Sequence, residues 1–211
     1  MKYWIFIFVV LFSFYTSAKD VIYQNDFSRQ ADYKKDFSVE HGAWKFTAGE
    51  KTLRQVAGAP HRLGRIHLKK HITGNVSVEF TFAYLGGKSS AHFSSGLHFW
   101  YPEKEGYSYQ IKFPTHGQKG IILLKIKKIF DGKRYWNHYE SLAQADSKQL
   151  IQNKKYKAKI ILKDGNFSVY LDGEELMNFT DKSPLPASGK ISFFTYGAAV
   201  DFDNLKVVAI P

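Results

Sequence analysis

Short runs of alternating apolar and polar residues recur along this 211-residue chain, and they constrain its fold more than any other feature. About a dozen such runs follow one another at roughly 8 to 12 residue spacing, with turn-forming residues between them. Three Asp-Gly dipeptides, which begin at Asp131, Asp164 and Asp172, are each flanked by strand-like sequence. Asp-Gly suits the positive φ angles of a tight hairpin. The pattern predicts an all-β sandwich of two antiparallel sheets.

The length and composition indicate one domain with one core. The chain is 44% hydrophobic and 17% aromatic, so it can bury a substantial core, whereas 211 residues are few for two domains. Residues 141–153 are the one stretch with helical potential, and we expect a loop or one or two helical turns there. We predict a single domain over residues 19–211, and we expect a monomer.

Residues 1–18 read as a targeting segment. Lys2 precedes an apolar run over residues 3–15, and the small residues Thr16 and Ala18 follow it. This order is typical of a secretory signal peptide that is cleaved before Lys19. The apolar run is shorter than the roughly 20 residues that a spanning helix needs. We expect a secreted or periplasmic protein that does not span the membrane.

The charge and the cysteine content narrow the choice of partner. The formal net charge is +11 and there is no cysteine, so the core must hold the fold without disulfides. For an exported basic protein, the available acidic partners are anionic glycans or membrane surfaces, and we expect no nucleic acid. The lysines are scattered, however, and scattered lysines on strand edges also discourage aggregation.

The most informative stretch covers residues 95–113. Two apolar-rich runs, 97–101 and 107–113, flank a short polar loop, which predicts a hairpin. Alternation places one set of side chains on an apolar face: Leu97, Phe99, Tyr101, Tyr107, Tyr109, Ile111 and Phe113. The opposite face receives His98, Trp100, Ser108, Gln110 and Lys112. An indole, an imidazole, an amide and an ammonium group on one sheet surface indicate a ligand platform.

Neighbouring strands extend this predicted platform. We expect a meander within one sheet formed by residues 76–84, 95–101, 107–113 and 120–130. Residues 76–84 alternate clearly, with Val78 and Phe80 on one side and Glu79 on the other. In this meander, we expect Glu79 and Lys125 to lie on the same face of the sheet as the polar side chains of the hairpin.

Several segments, in their order along the chain, resemble concanavalin A-like jelly rolls, and most of all the 3-keto-disaccharide hydrolase family. These segments are DFS at 26–28, WKF at 44–46, SGLHF at 95–99, GYSYQIKF at 106–113, DGEEL at 172–176 and SGKISFFTYGAAVDFDNLKV at 188–207. The resemblance covers about residues 21–209 and implies a jelly roll whose concave sheet handles carbohydrate. Where that family often has Arg and Glu in the hairpin, this chain has Trp100 and Ser108, whereas Gln110 agrees.

The resemblance implies an enzyme of the keto-glycoside hydrolase kind. Glu79 and His98 are its acid/base candidates, and Gln110 is expected to orient the substrate. Glycosidases that use two carboxyl groups need both of them across the scissile bond, and Glu79 is the one placed clearly on the polar face. The E-x-D-x-x-E strand of glucanase-type jelly rolls does not occur in the sequence.

A non-catalytic glycan-binding module is the alternative. Trp100 and Tyr107 would stack on sugar rings, while Gln110, Lys112 and Lys125 would bind hydroxyl or carboxylate groups. The lack of an evident carboxylate pair favours this alternative.

A polysaccharide lyase acting on an anionic glycan is a further hypothesis. A lyase removes the proton next to a uronate carboxyl group and neutralises that carboxylate. His98, Gln110 and Lys112 could take part, with Arg62 or Arg65.

The sequence contains one candidate metal site, for a structural calcium ion, and we expect no required cofactor. The eight histidines form no zinc-binding spacing. Asp26, Asp201 and Asp203 could supply oxygen ligands to a structural calcium ion. Asp203 could equally cap its own backbone in a turn with Asn204.

Overall fold

The structure is a computed structural model that describes residues 20–29, 34–47, 49–56, 63–87, 93–116, 120–146 and 150–211. The predicted signal peptide and Arg62 lie outside the described residues. The strands are β1 Val21–Asn25, β2 Phe37–His41, β3 Ala43–Thr47, β4 Thr52–Val56, β5 Leu63–Leu68, β6 Ile72–Thr73, β7 Val76–Gly87, β8 Phe93–Tyr101, β9 Gly106–His116, β10 Ile121–Phe130, β11 Tyr135–Ala145, β12 Lys155–Lys163, β13 Asn166–Leu171, β14 Glu174–Thr180, β15 Ser188–Tyr196 and β16 Ala198–Ala209.

These strands form two sheets of eight strands each. The first sheet has the order β14-β13-β12-β7-β16-β4-β3, with β1 also paired to β16. The second sheet has the order β11-β10-β9-β8-β15-β5-β2, with β6 also paired to β15. Neighbouring strands pair antiparallel, as predicted. Among the described residues, no helix has the length and apolar character needed to cross a bilayer.

Aromatic side chains fill the space between the two sheets. Phe80 of β7 lies 5.4 Å from Phe193 of β15, measured between ring centroids, and Phe82 lies 5.2 Å from Phe113 of β9. Phe193 stacks on Phe202 of β16 at 4.2 Å. Each fully buried phenylalanine contributes about 1.5 to 3 kcal/mol through removal of its surface from water. The core therefore holds the sheets together without disulfides.

The Asp-Gly dipeptides mark hairpin turns, as predicted. Asp164 and Gly165 join β12 to β13 with φ angles of 50° and 79°, and Asp172 and Gly173 join β13 to β14 with 51° and 88°. Two positive φ angles in succession are typical of a type I′ turn. The turn at Asp131 differs, since its Oδ1 accepts hydrogen bonds from the backbone N–H groups two and three residues ahead, at 3.0 and 2.9 Å.

The structure corrects two sequence predictions about the strands. Residues 141–145 continue β11 rather than forming a helical turn, because β11 is an edge strand whose exposed faces tolerate polar residues. The predicted meander holds for β8, β9 and β10, which are neighbours in the second sheet. β7, however, lies between β12 and β16 in the first sheet, so the chain changes sheets between Gly87 and Phe93.

Candidate functional site

A β-bulge in β8 decides which aromatic side chain reaches the outer face of the second sheet, the face turned away from the core. Tyr101 pairs with Lys190 and His98 pairs with Ser192, so β8 has one more residue than β15 between these pairs. Trp100, in the bulge, has a φ of 60° and is only 3% exposed within the core cluster. The prediction that Trp100 lies on the ligand face is therefore wrong, because the bulge turns Tyr101 there instead.

The outer face of the second sheet contains a cavity of about 380 Å³, which we call the cleft. β9 contributes Gln110 and Lys112, two of the predicted ligand-binding residues, and β5 contributes Arg65. The remaining lining residues are Leu63, Ser94, Tyr139, Phe194 and Tyr196. This combination of aromatic walls and a few polar groups is typical of a small-molecule site.

The Lys112 side chain lines the cleft, and its neighbour on the adjacent strand is a glycine. Its direct cross-strand partner on β8 is Gly96, and Lys112 Nζ lies 5.9 Å from the ring centroid of Tyr139 on β11. Burial lowers the pKa of Lys112. Within the described part of the chain, no carboxylate forms an ion pair with this ammonium group.

Gln110 and His98 form a buried pair at the base of the cleft. Gln110 Nε2 and His98 Nε2 lie 2.8 Å apart, while Gln110 Oε1 and His98 Nδ1 have no hydrogen-bond partner among the described residues. His98 is fully buried against Phe194 and Tyr101. Burial, and after it the charge of Arg65, lowers the pKa of His98, which holds the imidazole neutral. His98 is therefore placed to orient the Gln110 side chain at the base of the cleft, and its predicted acid/base role stays a prediction.

A polar cluster beside the cleft is centred on Glu40 of β2, and we call it the Glu40 cluster. Its members are Glu40, Arg65, His67, Tyr101 and Lys128. The carboxylate lies 2.9 Å from Arg65 Nη1, 3.0 Å from His67 Nε2 and 3.4 Å from Lys128 Nζ. Tyr101 Oη accepts a short hydrogen bond from Arg65. Arg65 belongs to both the cluster and the cleft, so the cluster fixes one wall of the cleft.

The Glu40 cluster sets the charge states of its own members. Burial would raise the pKa of Glu40, but the hydrogen bond from His67 and the charge of Arg65 outweigh it and hold that pKa well below its usual range. Burial raises the pKa of Tyr101, so its phenol stays neutral. Glu40 is therefore an ionised carboxylate that balances the surrounding cations.

Glu79 lies far from this region, contrary to the prediction. It belongs to β7 in the first sheet and forms ion pairs with Lys157 and Lys159 of β12, each at 3.4 Å. Those partners belong to the outer face of the first sheet, and two packed sheets are about 10 Å apart. Glu79 and His98 therefore lie in different sheets and cannot act on one substrate.

Lys125 and Tyr107 are also placed outside the cleft. Lys125 Nζ lies 2.9 Å from Asp181 Oδ2 and donates to the Ser183 carbonyl at 2.6 Å, so it ties β10 to the segment after β14. Tyr107 is 48% exposed and lines, together with Trp100, a separate cavity of about 580 Å³. The aromatic residues proposed for glycan binding are thus separated from Gln110 and Lys112.

The three predicted calcium ligands are engaged in other contacts. Asp201 forms a bidentate pair with Arg54, with both N···O distances at 2.6 Å. Asp203 Oδ1 accepts from the Asn204 N–H at 2.7 Å, and Asp26 Oδ1 accepts from the Ser28 N–H at 3.0 Å. Over the described ranges, no three acidic or histidine side chains are gathered as a metal site. Because each of the three carboxylates accepts hydrogen bonds from the protein, calcium binding stays a prediction.

The sequence does not predict several residues of the site. Glu40, His67 and Tyr101 are separated from their partners by 25 to 88 residues, so no local pattern shows their association. Tyr139 is predictable from the sequence, because Tyr135, Asn137 and Tyr139 occupy alternate positions on β11, as the face-sharing residues of the central hairpin do.

Residues 23–208 match the family model described as the 3-keto-alpha-glucoside-1,2-lyase-like domain. The chain belongs to this family. Its membership agrees with the resemblance drawn from the hairpin and the C-terminal strands, and the match spans the strands that build the cleft. No curated protein sequence matches the chain significantly.

This chain shares its jelly-roll fold with several solved structures. It is similar to the carbohydrate-binding module CBM66 of Bacillus subtilis, with a TM-score of 0.62, 15% identity and coverage of 82% of this chain and 96% of that one. A putative glycosyl hydrolase of Parabacteroides distasonis gives a TM-score of 0.57, 14% identity and coverage of 84% and 89%. β-Agarase B of Zobellia galactanivorans gives 0.63, 7% identity and coverage of 91% and 94%. At these identities the similarity shows the fold alone, and the predicted jelly-roll sandwich is confirmed.

Proposed function

We propose that this protein binds a keto-sugar glycoside in the cleft and breaks its glycosidic bond by elimination. The observation that carries the proposal is the composition of the cleft. It contains two basic side chains, Arg65 and Lys112, and an unpartnered amide oxygen on Gln110, between aromatic walls. The family description, which names a 3-keto-glucoside lyase, indicates the substrate class.

The aromatic residues would hold the sugar. Tyr139 is 52% exposed, so its ring is available to the apolar face of a pyranose. Gln110 is only 4% exposed, and its Oε1 lacks a partner, so a sugar hydroxyl can complete its hydrogen bonding. These two contacts would orient the ring against β9.

The available acidic groups argue against hydrolysis by two carboxyl groups. Glu40 is the carboxylate beside the cleft, and it is held ionised by Arg65, His67 and Lys128, so it has no proton to donate. Glu79 belongs to the other sheet. A pair of carboxyl groups spaced across a glycosidic bond is therefore absent from the described part of the cleft.

Elimination needs a different kind of site, one that the cleft can supply. A ketone makes the hydrogen on the neighbouring carbon acidic, and removal of that proton places negative charge on the carbonyl oxygen. Cations and hydrogen-bond donors stabilise such charge in a site shielded from water. Water takes the proton from C2, the bond from C1 to the leaving oxygen then breaks with its electron pair, and the leaving oxygen takes a proton from solvent. Later addition of water to the resulting double bond would give the products of hydrolysis, which agrees with the hydrolase-type resemblance.

A non-catalytic glycan-binding module is the second candidate. The full burial of His98 and the engaged state of Glu40 favour it, since neither group can transfer a proton to substrate directly. The net charge of +11 suits an anionic glycan in either case. Export to the periplasm or medium, inferred from residues 1–18, would give access to such glycans.

An isotope experiment tests elimination directly. The protein is incubated with a 3-keto glucoside that carries deuterium at C2, and the products are analysed by mass spectrometry. Elimination removes that deuterium before the glycosidic bond breaks, so we expect its loss and a slower reaction than with hydrogen. Bond cleavage with full retention of deuterium would contradict the proposal, and binding without cleavage would support the glycan-binding module.

Matched tyrosine variants locate the binding site. Tyr139→Ala is expected to raise KM by about 3- to 10-fold, because one aromatic contact contributes about 0.5 to 1.5 kcal/mol. Tyr107→Ala is the control, since Tyr107 is similarly exposed but lines the separate cavity. Equal effects of the two substitutions would place the sugar outside the cleft.

A further inference from the structure

We propose that Lys112 is a nucleophile whose Nζ bonds to the ketone carbon of the substrate and holds it as an iminium ion during elimination. This inference rests on the proposed function and goes beyond it, since neither the family description nor the fold assigns a covalent intermediate. It also changes the role of Lys112 from a binding residue to a catalytic one.

The contacts of Lys112 distinguish it from other lysines on the same sheet. Lys125 pairs with Asp181 at 2.9 Å, Lys128 with Glu40 at 3.4 Å and Lys190 with Glu103 at 2.6 Å. A carboxylate thus contacts the nitrogen of each of these three lysines. Lys112 has no such anion among the described residues, and its nitrogen instead lies over the face of the Tyr139 ring. Of these four lysines, Lys112 is therefore the one whose nitrogen is not held by a carboxylate.

Lys112 lines the cleft, so a ligand carbon bound there can come within reach of its Nζ. Its cross-strand partner Gly96 has no side chain that would cover the amine. Burial lowers the pKa of the amine, which increases the fraction present as free base at neutral pH.

The covalent step balances without an oxidant or reductant. The free amine of Lys112 forms a C–N bond to the ketone carbon, and the carbonyl oxygen leaves as water after taking one amine proton and one proton from solvent, which leaves the second amine proton on the positive iminium nitrogen. The positive nitrogen then draws the electron pair of the neighbouring C–H bond as water accepts the proton, which gives an enamine.

Collapse of the enamine breaks the glycosidic bond. The nitrogen lone pair restores the C=N bond, the carbon–carbon double bond moves to C1–C2, and the C1–O bond breaks with its electron pair. The leaving oxygen takes a proton from solvent. Hydrolysis of the remaining iminium consumes one water and releases the unsaturated ketone and the free amine of Lys112.

Reductive trapping tests the inference. The protein is mixed with a 3-keto glucoside and cyanoborohydride, which converts an iminium ion into a stable secondary amine. We expect peptide mass spectrometry to find the reduced sugar on Lys112. Lys112→Arg keeps the positive charge but should abolish the adduct and lower kcat by at least about 100-fold. Lys127→Arg, at an exposed lysine on β10, should retain both, and a glucoside without the ketone should give no adduct.

The outcomes separate this inference from the proposed function. Absence of an adduct, or adducts spread evenly over exposed lysines, would overturn the role of Lys112 as nucleophile, as would full activity of Lys112→Arg. Loss of C2 deuterium by the wild-type protein is measured in parallel and decides elimination independently. The melting temperature of Lys112→Arg must match that of the wild type, so that loss of the adduct reports chemistry rather than unfolding.

Discussion

Replacing Glu40 by glutamine is expected to lower the free energy of unfolding by about 3 kcal/mol, because it leaves the cations of the Glu40 cluster without a counter-charge. Arg65 is only 3% exposed, so its guanidinium cannot recover full hydration. The Glu40 side chain itself is 25% exposed, which places the expected effect at the lower end of the range for buried pairs. Urea unfolding of the two proteins measures the difference.

Glu79→Gln is the matched control for that measurement. Glu79 also contacts two cations, but its partners Lys157 and Lys159 are 67% and 37% exposed, so water and salt screen the pairs. An exposed pair of this kind contributes about 0 to 1 kcal/mol. Equal losses in the two variants would show that the Glu40 cluster does not stabilise the fold.

The same carboxylate predicts how stability depends on pH. The pKa of Glu40 is lower in the folded state than its ordinary value of 4.5, so its contribution is present above pH 4.5 and is lost as the pH falls below that value. Glu40→Gln has no carboxyl group to titrate there. Its free energy of unfolding should therefore fall less steeply than that of the wild type below pH 4.5, and parallel curves would contradict the assignment.

Gly96→Ala should be the most damaging glycine substitution among those at the cleft. An added Cβ would lie 1.9 Å from the carbonyl oxygen of Ile111, a backbone atom in the paired strand β9 that cannot move alone. We expect a loss of about 3 kcal/mol, the upper end for overpacking, and a melting temperature lower by about 6 to 12 °C. Calorimetry measures both.

Gly49→Ala serves as the control for this clash. An added Cβ at Gly49 meets no atom within 4 Å, so its effect should stay within about 0.5 kcal/mol. A Gly96→Ala protein as stable as Gly49→Ala would mean that β8 and β9 are not paired with the observed register.

The central hairpin shows how far local sequence predicts the site. Leu97 and Phe99 of β8, with Ile111 and Phe113 of β9, are buried in the core as the alternation predicts. Gln110 and Lys112 accordingly reach the outer face and line the cleft. Tyr101 and Tyr107 depart from the pattern, since Tyr101 is turned to the outer face beyond the bulge and Tyr107 is exposed.

The errors in the predicted site have two physical causes. Period-2 alternation holds only while the backbone stays extended, and the positive φ of Trp100 interrupts it where no glycine signals a bulge. Alternation also says which residues of a strand share a face but not which sheet the strand joins. The sequence therefore predicts the strand that contains Glu79 correctly but places that strand in the wrong sheet.

The sequence by itself determined the features that depend on neighbours along the chain: the strands, the Asp-Gly turns at Asp164 and Asp172, and the inward or outward direction of most side chains. Tertiary structure alone decided which strands lie side by side and which charges meet. Glu40 contacts Lys128 across 88 residues of sequence, a pairing that no local pattern encodes. Such contacts form only after the sheets are assembled, because their free energy depends on burial and on distances that the whole fold creates.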